Sequence, residues 1–309
     1  MRLNDFYRSI GLRGVVENTR KLNKVLRLAS FSPDFSYERK KDKKGRIYFD
    51  RYKFLGAGFG VSVHGYRHLR TNKEGKRIEK HVVMDWGVFA QGHQDTFVSG
   101  TFVDSDADQL LYCFAEDAHS GNNFEFRVNN VLEILDKYQK LSNLNELDSF
   151  EDNIQRVNMA MMMVYATVVL PVVKSDENQS FREQEDAIHK ELLARARMGD
   201  IDAHQDLQNM ALEQETDLRE RLCHEDLLSV FEGYFLNLVE QSGIFSVLAD
   251  ITAVEELTNE ASLERLYRLT VSITDIKITM YVSEADLVGA PTPGMRVMGI
   301  GVLQGTVML

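Results

Sequence analysis

The stretch "VNMAMMMVYATVVLPVVK", Val157–Lys174, is the most apolar of the chain, and its reading decides the fold. Three readings compete: a membrane span, a wall for a hydrophobic ligand, or a core strand. The uninterrupted apolar part begins after Asn158 and ends at Val173, with Pro171 inside it. That is about 15 residues, short of the roughly 20 that a helix needs to cross a bilayer. Val164, Tyr165, Thr167, Val168, Val169, Val172 and Val173 are strand formers, and proline suits a strand end better than a helix interior. The methionines of 159–163 suit a soft ligand wall, but core packing is the plainer reading. The spacing predicts one long buried strand or a tight strand pair.

Around it the chain divides. A length of 309 residues suggests about two domains, and 44% hydrophobic residues suffice for real cores. The 27% of charged residues and only 4 prolines argue against a disordered chain. Residues 1–174 read as an α+β sheet domain, with short helices at Asp5–Ile10 and Val15–Ala29. Period-two strands follow from Ile47, and an amphipathic helix covers Asn130–Leu141. Residues 175–242 read as a charged helical connector. Gly199-Asp200 marks a turn between two helices, and Asp226–Val239 reads as a further helix. Residues 243–309 return to alternation, with Gly294, Gly299, Gly301 and Gly305 supplying curvature. A small OB-like β-barrel of five strands is expected there.

Charge is divided too. Residues 1–80 carry 21 Lys+Arg and 8 Asp+Glu, whereas the whole chain is net −11. The densest run is "YERKKDKKGRIYFDRYK", Tyr37–Lys53. Arg39, Lys40, Lys41, Lys43, Lys44 and Arg46 cluster around Gly45, with Tyr37, Tyr48 and Tyr52 as stacking groups. Three uses are open: a solvated loop tip, a dock on an acidic surface, or a nucleic-acid contact. The acidity of the remainder weighs against phosphate. Arg39, Lys40, Lys41, Lys43, Lys44, Arg46 and Tyr48 are the candidate polyanion- or partner-binding residues.

Signatures of chemistry are sparse. The chain has no G-x-S-x-G, H-E-x-x-H, Walker A or paired C-x-x-C. "GAGFG", Gly56–Gly60, is followed by a strand pattern, so it reads as a β turn and not as a dinucleotide loop. His64 and His68, on a strand, would stand about 13 Å apart, too far to share a metal. His93 and Asp95, with Trp86 nearby, form the most catalytic-looking cluster. Asp104, Asp106 and Asp108 alternate without the rest of a calcium loop. Cys113 and Cys223 read as free thiols of a reducing compartment, and no secretory leader is read at the N-terminus. No cofactor and no metal are expected.

"ARARMGDIDA", "EDLLSVFEGYFL", "IFSVLADI", "LYRLTVSITDIKITMYVSEADLVGAPTPGMRVMGIGVLQGTV" and the Leu170-Pro171-Val172 strand end carry a resemblance over nearly the whole chain. "DFYRSIGL" and "GFGVSVHG" share it. The chain resembles an uncharacterised family of clostridial Firmicutes, domain-of-unknown-function family 3881. The Lys/Arg-rich segment near Gly45 and the Met-rich strand look like departures from that family. The resemblance implies a cytoplasmic bacterial protein and carries no catalytic residue over. The expected function is a non-enzymatic interaction or assembly protein, with a protein partner or self-association. A polyanion-binding protein using residues 37–53 is the alternative, and an enzyme with a site near His93 and Asp95 a second.

Overall fold

Gln155–Val169 is one strand, and both of its faces are buried over Met159–Met163. A computed structural model describes residues 3–39, 44–71, 75–93, 95–105, 110–117, 123–137, 155–171, 176–222, 233–239, 242–273 and 276–308. The chain opens with helices α1 (Leu3–Ser9), α2 (Arg13–Val16) and α3 (Thr19–Phe31). Strands β1 (Phe35–Glu38), β2 (Ile47–Gly56), β3 (Phe59–Thr71) and β4 (Arg77–Ala90) then form an antiparallel four-stranded sheet. Next come β5 (Asp95–Ser105), β6 (Leu110–Asp117), β7 (Asn123–Val128), α4 (Val131–Lys137) and β8 (Gln155–Val169). Helices α5 (Asp176–Arg197) and α6 (Ile201–Leu222) form a hairpin. The last elements are β9 (Tyr234–Val239), β10 (Ile244–Thr258), β11 (Arg265–Ile273), β12 (Ile276–Ser283), β13 (Leu287–Val288) and β14 (Arg296–Met308). The chain is thus α+β, weighted toward sheet. Among the described residues no helix is long and apolar enough to cross a membrane.

The second sheet is organised by β8 and β14, paired antiparallel from Arg156–Met308 to Val169–Arg296. Each of these long strands has a second edge that serves two ring neighbours in turn, and β8 adds a short parallel pairing of Ala166–Thr167 with β13. On β8, Gln155–Asn158 pairs with β5 and Ala160–Met163 pairs, parallel, with β12. On β14, Arg296–Val302 pairs with β10, and Gln304–Gly305 pairs, parallel, with β7. The antiparallel meanders β5-β6-β7 and β10-β11-β12 complete the circuits. Two five-strand rings of hydrogen bonding therefore share the β8/β14 ribbon. The ring at the C-terminal end takes its fifth strand, β8, from outside residues 243–309, so segments 1–174 and 243–309 are joined by backbone hydrogen bonds.

This position explains the opening stretch. Val157, Met159, Met161 and Met163 face the core enclosed by the rings, with Phe126, Val247 and Leu303. Ala160 and Met162 face a second core, with Tyr7, Leu26, Phe49 and Val63 from the helices and the small sheet. A strand buried on both faces loses its alternation and reads as a continuous apolar run. A bulge opposite Ile300/Gly301 leaves Val164 unpaired and reverses the side-chain parity, so Ala166 still faces the ring core. Gly299 and Gly301 allow the close approach. A Cβ on Gly299 would lie 2.2 Å from the Tyr165 carbonyl oxygen, and one on Gly301 would lie 2.7 Å from Met161 Cγ.

The two sheets are stapled by side-chain amides. Buried Gln304 accepts from Ala90 N (3.2 Å) and donates to Val88 O (3.0 Å), standing in for a strand beside β4. Asn158 accepts from Gly92 N (2.7 Å) and donates to Gly92 O (3.0 Å). Within the larger sheet, Asn130 after β7 grips both backbone groups of Val307 on β14 in the same way.

Several local expectations change. Tyr234–Val239, expected as the end of a helix, is strand β9 on the edge of β10; residues 226–232 of that stretch lie outside the described residues. The helix expected over Val15–Ala29 is two, because Asn18 caps α3 by accepting from Arg20 N and Lys21 N. Of Asn130–Leu141, Val131–Lys137 is helical and 138–141 lie outside the described residues. Strand β7 had no counterpart in the expected elements.

Replacing Gln304 with leucine removes both staple bonds and strands two buried backbone groups. We expect a loss of about 2–4 kcal/mol in unfolding free energy, read from urea titration. Met162→Leu, which conserves volume, should cost less than about 1.5 kcal/mol.

Candidate functional site

The basic run is folded back in part on the protein's own body. Arg39 forms an ion pair with Asp136 of α4 (3.2 Å), whose other oxygen accepts from Tyr37 Oη (2.8 Å). Arg46 stacks its guanidinium over Tyr48 and Tyr66, 5.3 and 5.2 Å from the ring centroids. Lys44 sits in the turn before Gly45, whose φ is 77°. Lys40, Lys41 and Lys43 lie outside the described residues.

His93 and Asp95 are not joined. His93 is exposed and its backbone N–H donates to Thr279 Oγ1. Asp95 accepts from Asn158 Nδ2 and pairs with Arg156 (3.4 Å). Trp86 faces α3 instead. Gly56–Gly60 forms the β2–β3 turn, with Gly58 at φ 82°. Asp104 lies on β5; Asp106, Asp108, His119 and Cys223 lie outside the described residues. Cys113 is buried, and burial pushes its thiol pKa up. Among the described residues no group of three or more His, Cys, Asp or Glu side chains is placed to hold a metal.

The titratable groups that do meet lie on one face of the small sheet. Strand registry puts Asp50, His64 and Asp85 in a row across β2, β3 and β4. His64 Nδ1 lies 2.5 Å from Asp50 Oδ1, and Asp50 Oδ2 accepts from Leu132 N at the start of α4 (3.3 Å). Burial opposes protonation of His64, but the hydrogen bond and charge of Asp50, with Asp85 behind, outweigh it and raise the pKa. Arg127 of β7 approaches Asp85 (3.8 Å). On the other side of Asp50 and Tyr52 a cavity of about 310 Å3 opens between this sheet and the start of α4. Phe35, Tyr37, Tyr52, Phe54 and Phe89 form its aromatic side. Asn129, Asn130, Glu133 and Thr306 form its polar side.

Two surfaces stand apart from that seam. Helix α3 buries Val25, Leu26 and Ala29 and leaves a second stripe outside. Arg20, Lys24, Arg27, Leu28 and Phe31 line a groove closed by Trp86, and Phe31 is 75% exposed. The helix holds no acidic residue. The α5–α6 hairpin has its own small core of Leu192, Ala196 and Ala203. Near its turn, Arg197 Nη2 donates to Glu116 (2.6 Å) and to Asp117 O (3.2 Å). Ile188, Met198, Ile201 and Leu212 are exposed on it, Met198 by 81%. Residues 176–222 hold 13 Asp+Glu and 6 Lys+Arg.

Fold and surfaces together define a sheet-rich protein of two ring-like strand circuits with a helical arm and an aromatic seam. The model of the family described as "Domain of unknown function, E. rectale Gene description (DUF3881)" matches residues 7–305, and the chain belongs to that family. Neither a curated protein nor a solved structure matches it.

The His64–Asp50 pair makes stability depend on pH in a defined sense. A histidine whose folded pKa is raised stabilises fully below its unfolded value of 6.5, and the contribution is lost as pH rises through the folded pKa. The stability gap between the wild type and His64→Asn should be largest below pH 6.5 and shrink above it. Urea midpoints of both proteins across that range measure this.

Proposed function

We propose that the protein is a non-enzymatic interaction protein that self-associates, the acidic helical arm of one copy docking on the cationic α3 groove of another. The observation that carries this reading is the chemistry of the two surfaces. Three cations, Arg20, Lys24 and Arg27, and two exposed apolar residues, Leu28 and Phe31, line one face of a helix that holds no acid. The arm offers a 22-residue α-helix, about 33 Å long, with an acidic excess and exposed apolar side chains. Apolar contact supplies affinity in such an interface, and opposite charge supplies registry and encounter rate. If each copy offers both surfaces, reciprocal exchange across a two-fold axis closes a dimer. A cytoplasmic role in a Firmicutes bacterium is part of this reading, and it rests on the family resemblance.

An OB-like assignment belongs to the same proposal. Each ring consists of a three-strand meander closed by two further strands, with one parallel contact. In the first ring a helix, α4, precedes the fourth strand in chain order. This order supports reading each ring as OB-like. The C-terminal unit has this order only when β8 is counted as its last strand, so the OB-like unit is not confined to residues 243–309.

Light scattering after size exclusion should give a dimer or larger species that dissociates at high salt. Charge reversal of Lys24 and Arg27 to glutamate should give monomers, and Phe31→Ser should weaken association by at least about tenfold. A monomeric wild type at 100 µM would remove the proposal. Fluorescent oligonucleotide titrated beside it tests the α3 cations as a polyanion contact, read from salt-dependent binding by the wild type.

A further inference from the structure

The cavity between β1–β2 and α4 has the build of a small-molecule site. Its volume of about 310 Å3 stands at the lower bound of ligand pockets, enough for a one- or two-ring molecule. One side is aromatic by construction. Phe35 pairs with Tyr52 across β1–β2, and their rings lie 5.9 Å apart. Phe89 sits edge-on to both Tyr52 and Phe54, with centroids 5.2 and 5.1 Å away. Tyr52 Oη is tied down by donating to Asn129 O (2.7 Å), so its ring is fixed as a wall.

The opposite side offers acceptors. Glu133 accepts from Asn130 Nδ2 through Oε2 (2.9 Å), and its Oε1 has no hydrogen-bond partner among the described residues. Asn130 is committed elsewhere, to Val307. The Asp50 carboxylate lies at the back, shared with His64. Asp50 and Glu133 are the charged side chains that line the cavity, and both are acids. Burial comes first in raising the Tyr37 pKa to about 12 and that of Tyr52 well above its ordinary value, and the Glu133 charge adds to both. Aromatic faces beside an unshared carboxylate oxygen favour a flat cation, through cation–π attraction and a charge-assisted hydrogen bond. They disfavour an anion, which would meet the Glu133 carboxylate directly, since the His64 imidazole is already paired with Asp50.

We propose that this cavity binds a planar aromatic ligand bearing a protonated amino or amidinium group, with the ring against the wall of Phe35, Tyr52 and Phe89 and the cation on Glu133. This site is separate from the α3 groove and the helical arm, and stands whether or not the protein self-associates.

Benzamidine is the probe, with benzamide and benzoate as the neutral and anionic molecules of the same shape. Calorimetric titration of the full chain should show saturable benzamidine binding, at least tenfold weaker benzamide binding and no benzoate binding. Glu133→Gln keeps the acceptor for Asn130 and should lower benzamidine affinity at least tenfold. Phe35→Ala, at a position 55% exposed and therefore compatible with folding, should also weaken it. The melting temperature of each ligand-free variant checks that the fold is kept. No saturable benzamidine binding by the folded wild type would overturn the proposal. So would benzoate binding as tightly, or an unchanged affinity in folded Glu133→Gln.

Discussion

Everything in the larger sheet depends on the antiparallel contact between β8 and β14. It is the one strand pair that belongs to both rings, and it is long because each strand must serve two ring neighbours on its other edge. The cost of that arrangement is steric. Two rings can share a ribbon only if side chains on the shared wall are accommodated from both sides. The solution divides the labour between the strands. β8 carries flexible methionines, which fill irregular space. β14 opposes them with Gly299 and Gly301, where any side chain would strike the Tyr165 carbonyl or the Met161 side chain. The methionine run and the glycine run are two halves of one packing problem.

The parts of the fold visible in the sequence are those set by local pattern. Strands β2 to β6, the helical hairpin and its Gly199-Asp200 turn, and β10 to β12 all follow from alternation, helix formers and turn residues. The core assignment, which holds for Val157–Met163 and Ala166, followed from length and from Pro171; Tyr165 and Leu170 are exposed, and 172–174 lie outside the described residues. What stayed hidden is set by distant partners. Tyr234–Val239 places apolar residues at spacings that suit a helix as well as a strand, and the open edge of β10 decides in favour of the strand. The second ring needs β8, more than 70 residues before β10, so no window over residues 243–309 contains it. The charge division was legible in outline. That Arg39 and Arg46 turn inward could not be read, because Asp136 and Tyr66 are brought to them by the fold.

The seam and the α3 groove escaped the sequence for different reasons. The stripe of Arg20, Lys24, Arg27, Leu28 and Phe31 is a helical pattern, but the helix already has a core stripe, and only Trp86 from β4 turns the second one into a groove. The seam has no linear pattern at all. Its aromatic wall is set by registry, Phe35 against Tyr52 and Phe89 beside Gly60, and its acid comes from α4. His64 drew attention as one of a histidine pair, yet its relevant partner is the carboxylate directly across the strand pair.

The strand order also bears on how the chain holds together. Exchanging β8 with β14 maps β5-β6-β7 onto β10-β11-β12, with each antiparallel and each parallel contact preserved. The two halves are thus related by an approximate two-fold pattern, and each closes its ring only with the other's long strand. Neither half can satisfy its edges alone, and an unpaired long edge invites mispairing. The helical arm lies between the halves in sequence, after β8 and before β9. The entropy of closing a loop grows only slowly with its length. An insertion at that junction therefore lengthens the connection at modest cost while both rings stay closed. The arm can therefore vary its surface chemistry without disturbing the ribbon.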